Sequence, residues 1–361
     1  MSKPLEIAWF SALCDDDYEF LGVPDASLAS SWEHCRNIVM RAEEGGFDNI
    51  LLPSGYQLGI DTQMFAGAIA ALTRKIRLLM AVRIGETWPP QLARQIATLD
   101  RILGAAPCGA ARLAVNIISS DMPGEKMDSE PRYARTVEAM KILKTLLNGE
   151  HLSHKGEFYD LDLAPPRVST LSGKCPPLYF GGLSPAAREA AAEGCDVYLM
   201  WPETLDGAKA LIADMTERAA KRGRTLKYGF RAHVIVREAE AEARDYASRL
   251  LSKLDADKGA EIRGKSLDSQ TFGVARQAEL RAAAGEDGYI EDNLWTGIGR
   301  ARSGCGAAIV GNPDQVVAKI RAYQALGIDA FILSGYPHMQ ECDMFARYVL
   351  PQLEHGKLSL D

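Results

Sequence analysis

Eight strand-length apolar runs, each followed by a stretch suited to a helix, constrain this chain more than any other feature. The runs are 5–12, 49–52, 76–82, 112–117, 177–180, 197–200, 228–236 and 329–333. Helices are predicted over 31–44, 62–72, 90–102, 130–147, 185–193, 205–221, 238–254 and 339–350, the first ending at Gly45-Gly46. Runs rich in branched apolar residues suit strands buried on both faces, and strand–helix alternation suits right-handed parallel crossovers. Eight such units predict an α/β protein, a (β/α)8 TIM barrel with insertions, as one domain over 1–361. A doubly wound sheet would usually carry a glycine-rich turn after its first strand. Here that turn is Ser11-Ala12-Leu13-Cys14-Asp15.

Two segments break the rhythm. Residues 154–159 read as a hairpin or extended excursion, and 252–306 is polar, glycine-containing and too long for a minimal connection. Long insertions after barrel strands commonly form lids, so 252–306 is expected to be a mobile lid that delivers Arg302.

Composition narrows the function classes. A formal net charge of -7 disfavours non-specific binding to nucleic acid or an anionic membrane surface. No apolar stretch approaches membrane-spanning length, and the start, Met1-Ser2-Lys3-Pro4-Leu5-Glu6, lacks the pattern of a secretory signal. The seven cysteines are odd in number and form no CxxC pair, which predicts thiols in a reducing cytoplasm. No HExxH is present, so no metal is expected, and no GxSxG elbow or paired acid–base carboxylates stand out.

Polar and aromatic residues gather instead at the predicted strand ends: Trp201, Arg231, His233, Tyr336 and His338. Period two places Arg231 and His233 on one face of their strand. An arginine there can grip an anion in bidentate fashion, and a histidine can donate a hydrogen bond or exchange a proton. Spacing alone leaves a structural ion pair open. Gly181-Gly182-Leu183-Ser184-Pro185 follows the fifth run, with Ser184 as a helix cap and Pro185 in the first turn. A helix N-terminus of this kind can bind phosphate.

Several ordered stretches carry a family resemblance over nearly the whole chain. They are 97–101 (Ala-Thr-Leu-Asp-Arg), 176–182 (Pro-Pro-Leu-Tyr-Phe-Gly-Gly), 231–238 (Arg-Ala-His-Val-Ile-Val-Arg-Glu), 293–295 (Asn-Leu-Trp) and 326–338, ending Ser334-Gly335-Tyr336-Pro337-His338. The chain resembles the flavin-dependent alkanesulfonate monooxygenases of the bacterial-luciferase-like superfamily. That resemblance implies that a separate NAD(P)H-dependent reductase supplies reduced FMN, and that dioxygen is used to cleave a carbon–sulfur bond, giving an aldehyde and sulfite. It implies a sulfonate pocket of Trp201, Arg231, His233, Arg302, Tyr336 and His338, and flavin contacts from Asn116, Tyr133, Gly182 and Ser184. It further implies a homodimer or homotetramer.

Two places depart from the family pattern. Leu13-Cys14-Asp15-Asp16 stands where the family has a histidine-bearing turn, and Ser54–Gly59, which includes Gln57, lacks the family's cysteine. Cys14 and Gln57 therefore become candidate substrate contacts, and the acidic and amide groups Asp15–Asp17 and Gln57 suit a hydroxylated sulfonate such as a sulfosugar. The alternatives are a related flavin monooxygenase acting on a sulfone, pyrimidine, amine or alkane, and a non-catalytic flavin-binding barrel.

Overall fold

The structure is a computed structural model that describes residues 4–360, except 57, 107–110, 121, 126, 256, 258, 260–270 and 303. All eight runs become strands: β1 (Glu6–Phe10), β2 (Asn49–Leu52), β3 (Arg77–Arg83), β4 (Leu113–Ile118), β5 (Leu178–Phe180), β6 (Val197–Met200), β7 (Lys227–Val236) and β8 (Ala330–Ser334). Every neighbouring pair is parallel, and β8 closes the barrel on β1 through Ala330 opposite Glu6. The expected TIM barrel is what forms.

The helices follow the alternation. They are α1 (Trp32–Glu44), α2 (Thr62–Ala70), α3 (Pro89–Gly104), α4 (Ser129–Leu147), α5 (Pro185–Gly194), α6 (Leu205–Ala220), α7 (Glu240–Leu251), α8 (Phe272–Ala283), α9 (Pro313–Ala325) and α10 (His338–Tyr348). Side-chain caps set several starts: Ser31, Asp61, Ser184 and Thr204 each accept a backbone N–H two or three residues inside the helix. The 152–163 region is a hairpin, as the sequence suggests.

One set of inward side chains fills the barrel: Phe10, Leu51, Leu79, Ala114, Tyr179, Val197 and Ile332, with Leu358 of the C-terminal tail. Below them Glu6 is buried but fully engaged. It accepts hydrogen bonds from Asn49 Nδ2 at 2.9 Å, Tyr179 Oη at 2.6 Å, Arg77 Nη1 at 2.7 Å and Leu358 N at 3.0 Å. A buried charge held this way specifies the barrel floor without being left unpaired.

The insertion is more regular than its sequence implies. The lower half of β7 pairs with β6, while its upper half, His233–Val236, pairs with an added parallel strand, Ala308–Gly311. That strand joins an antiparallel ribbon of Tyr289–Glu291 and Leu294–Trp295. The insertion is thus stitched to the strand that carries Arg231 and His233.

Candidate active site

β7 and β8 run side by side with Arg231 opposite Ile332 and His233 opposite Ser334. This register brings three polar groups together at the barrel mouth. Arg231 Nη2 donates to Ser334 Oγ at 2.8 Å, and the same Oγ lies 2.8 Å from His233 Nδ1. Because Arg231 already donates to that hydroxyl, the economical assignment has Ser334 donate its own proton to Nδ1. The imidazole proton then sits on Nε2, which makes no standard hydrogen bond among the described residues, although the Cys305 backbone lies close enough to favour the protonated ring. Burial, reinforced by Arg231 and His338, holds the His233 pKa well below the usual histidine value. His233 is a neutral donor aimed by its neighbours.

Arg231 is 3% exposed. Its guanidinium sits 4.3 Å from the Phe10 ring centroid, and its other partners are the carbonyls of Ala232 at 2.6 Å and Ile332 at 3.4 Å. Among the described residues no carboxylate pairs with it, so the structural ion pair left open by spacing does not form there. A guanidinium this deep without an anion is costly to fold and well placed to receive one.

The insertion supplies the second guanidinium. Arg302 Cζ lies 5.6 Å from the same Phe10 ring, and Nη1 donates to Tyr336 Oη at 2.8 Å and pairs with Asp16. Tyr336 Oη donates to Asp16 Oδ1 at 2.8 Å. Burial pushes the Tyr336 pKa up to about 12, so the phenol keeps the proton it gives to Asp16. Its ring stands 5.0 Å from that of His233, and its carbonyl accepts from Tyr246 Oη at 2.9 Å.

His338 is committed differently. Nδ1 faces the carbonyl oxygen of Phe10 at 3.0 Å and Nε2 that of Asp16 at 2.8 Å, with the side chain fully buried. Both ring nitrogens are taken by backbone, so this residue ties the loop after β1 to α10 and offers no free group to a substrate. Burial, with Arg231, Arg302 and His34, pushes its pKa down to about 4 against the pull of Asp17, so the neutral ring donates from one of the two nitrogens.

Trp201 ends β6 under the insertion. A Cβ at Gly273 would lie 2.7 Å from its indole, and one at Gly304 would lie 3.3 Å away. The two glycines let α8 and the Arg302 loop close over the ring. The described part of the insertion is tied to the barrel by several contacts. Arg276 pairs with Glu203 through contacts of 2.7 and 2.8 Å, and Gln277 Nε2 donates to the Pro202 carbonyl at 2.8 Å. Lys319 Nζ reaches Glu291 at 2.7 Å. The expected lid also includes 260–270, outside the described residues.

The second half of the site lies at the ends of β4 and β5. Gly182 adopts φ +151°, and a Cβ there would come within 2.6 Å of Ala187 Cβ and 3.8 Å of Tyr133 Oη. Tyr198 Oη holds the Gly182 carbonyl at 2.8 Å. Ser184 Oγ accepts from Ala187 N at 3.1 Å, so this hydroxyl serves the ten-residue α5 as its cap. Asn116 pairs in register with Tyr179 on the neighbouring strand. Gly182 lets the turn pack directly on Ala187, which sets the α5 N-terminus close to the Tyr133 hydroxyl, and a helix N-terminus of this kind can bind a phosphate monoester.

Sequence reasoning missed Phe10, which read as plain core, and Ser334. Cys14 is half-buried, with its Sγ 3.2 Å from where a Gly55 Cβ would stand. Gln57 lies outside the described residues. The six described cysteines form no disulfide. Among the described residues no cluster of three metal-ligating side chains occurs, and no helix is long and apolar enough to cross a membrane.

The profile of the luciferase-like monooxygenases matches residues 20–330. The chain belongs to this family. It is 71% identical over 356 residues to a sulfoquinovose monooxygenase of Novosphingobium aromaticivorans, covering 98% of each chain. It is 52% identical to another of Agrobacterium fabrum, over 97% of this chain and 90% of that one. Among solved structures, a riboflavin lyase crystallised with modified FMN and riboflavin superposes with a TM-score of 0.78 at 16% identity, over 99% of this chain and 95% of that one. At that identity the likeness concerns the fold. In this luciferase-like monooxygenase the Arg231–His233–Ser334 cluster and the Gly182 turn lie toward the C-terminal ends of the barrel strands, where TIM-barrel enzymes place their active sites.

Proposed function

We propose that this chain is the oxygenase of a two-component, reduced-FMN-dependent system that desulfonates a sulfosugar, sulfoquinovose. The observation that carries the reading is the pair of guanidiniums on Phe10, one of them without a carboxylate, beside the buried Nε2 of His233. A sulfonate supplies the missing negative charge and three acceptor oxygens. The names of the two relatives at 71% and 52% identity support the sulfosugar. Neutral alkanes or sulfones would leave Arg231 buried with no counter-ion.

Gly182, the N-terminus of α5, Tyr133 and Asn116 would hold FMN, with its phosphate in the Gly182–Ser184 cradle. When bound and reduced, the flavin supplies the electrons that activate dioxygen. Overall, the sulfonate, dioxygen and reduced flavin give the aldehyde, sulfite, oxidised flavin and water. The residues of this chain do the rest. Arg231 and Arg302 fix the sulfonate, and His233 Nε2–H donates to one of its oxygens. Tyr336 orients Arg302, and Trp201 under the insertion closes the mouth against water.

An NAD(P)H-dependent FMN reductase is the second component, and the system works in the cytoplasm. Exposed Met64, Trp88 and Ile102 on and beside α2 and α3 provide apolar surface for assembly into a homodimer or homotetramer. The test is sulfite release from sulfoquinovose with FMN, NADH and a reductase. Sulfite should appear only when dioxygen and reductase are both present. Reductase-driven oxygen consumption with no sulfite would overturn the proposal.

A further inference from the structure

We infer that Asp16 is the specificity-determining residue of this pocket: its carboxylate receives hydroxyl groups of the substrate's sugar ring and so selects a polyhydroxylated sulfonate over a plain alkyl one. This inference rests on the sulfonate reading above.

The loop after β1 carries three consecutive aspartates, and the structure gives each a different task. Asp15 takes a left-handed conformation, φ 53°, and its Oδ1 accepts from Ser30 N at 2.8 Å. Asp17 is buried, accepting from Tyr18 N and His338 N at 2.9 Å each and lying 2.9 Å from His34 Nε2. These two pin the loop from both sides, and His338 Nε2 holds the Asp16 carbonyl. Of the three side chains, Asp16 is the one turned to Tyr336 and Arg302.

Its carboxylate is not saturated. An ionised carboxylate offers about four lone-pair sites. Tyr336 and Arg302 account for two contacts, and the side chain keeps 12% of its surface exposed. In charge, Asp16 cancels one of the two guanidiniums and leaves a single net positive charge, the complement of a sulfonate monoanion. In hydrogen bonding, what remains is purely accepting. Sugar-ring hydroxyls satisfy it, whereas a methylene chain would desolvate a carboxylate against groups that cannot donate. A site built to receive a substrate hydroxyl discriminates strongly against the analogue lacking it.

The experiment compares sulfoquinovose with hexanesulfonate, binding each by calorimetry to wild type, Asp16→Asn and Asp16→Glu in the presence of FMN, and measuring sulfite release in parallel. Wild type should prefer sulfoquinovose. Asp16→Asn should lower that preference by about tenfold or more, chiefly through weaker sulfoquinovose binding, and Asp16→Glu should restore part of it. If Asp16 only braces Arg302, both sulfonates weaken together and the ratio stays fixed, which overturns the assignment. Equal binding of the two sulfonates by wild type, or of neither, overturns it as well. A preference that depends on Asp16, without sulfite release by wild type, upholds Asp16 and overturns the monooxygenase reading instead.

Discussion

Replacing Arg231 by methionine separates a functional buried charge from a structural one. The variant loses three hydrogen bonds donated by the guanidinium, to Ala232, Ile332 and Ser334, and the stacking on Phe10. At about 1.5 kcal/mol per charge-assisted bond the loss is about 4.5 kcal/mol. Against this, exchanging a buried charge for an apolar side chain of similar volume recovers about 1–4 kcal/mol, and a thioether on the Phe10 face restores some of the ring contact. Stability should therefore stay within about 3 kcal/mol of wild type. Substrate use should not. A bidentate guanidinium–sulfonate pair comprises two charge-assisted hydrogen bonds at about 1.5–3 kcal/mol each. Their loss should lower kcat/KM for the sulfonate by about a hundredfold or more, since about 1.4 kcal/mol is a factor of ten. The assays are sulfite release with a reductase, urea denaturation, and FMN binding by fluorescence, which should be little changed. Unfolding of the variant, or kcat/KM within about threefold of wild type, would refute the reasoning.

The other expectations concern the flavin cradle, pH and the insertion. Gly182→Ala places a Cβ at a positive φ and against Ala187, so FMN affinity should fall at least about tenfold in a fluorescence titration, with strain of about 1–3 kcal/mol visible in the unfolding curve. Because His233 is held neutral when folded, the unfolded chain binds its proton more readily as pH falls below about 6.5. Its contribution is complete above that value and is lost on acidification at up to roughly 1.4 kcal/mol per pH unit, and His233→Asn should flatten that slope in urea titrations between pH ~7 and ~5. Arg276→Ala breaks the clamp on Glu203 and should speed limited proteolysis within 252–306 without changing the barrel's circular dichroism.

Much of this was legible in the sequence because it depends on local pattern. The barrel strands follow from short apolar runs, the α5 cap from Ser184-Pro185, and the shared face of Arg231 and His233 from strand period. The same logic reaches the strand Ala308–Gly311 and helix α9. The helix starts at Asn312-Pro313-Asp314-Gln315, a capping box with proline in the first turn, a signal that lies beyond 252–306 and outside the predicted helices. What pattern could not show is pairing across the fold. Asp16 meets Tyr336 from 320 positions away, and Glu6 meets Asn49, Arg77 and Tyr179 from three other strands. His338 shows the converse: its place at a strand end suggested chemistry, but two backbone carbonyls occupy both its nitrogens. Whether a polar side chain faces substrate or scaffold depends on what the closed barrel puts opposite it.

In the proposed complex Arg231, Arg302 and His233 hold the sulfonate while Asp16 meets the sugar. A crystal structure of the complex with FMN and sulfoquinovose tests this arrangement most directly. The expected result is sulfonate oxygens on both guanidiniums and on His233 Nε2, a sugar hydroxyl on Asp16, and the flavin phosphate at Gly182–Ser184. A sulfonate directed to solvent, with Arg231 still bound only to Ala232, Ile332 and Ser334, would contradict it.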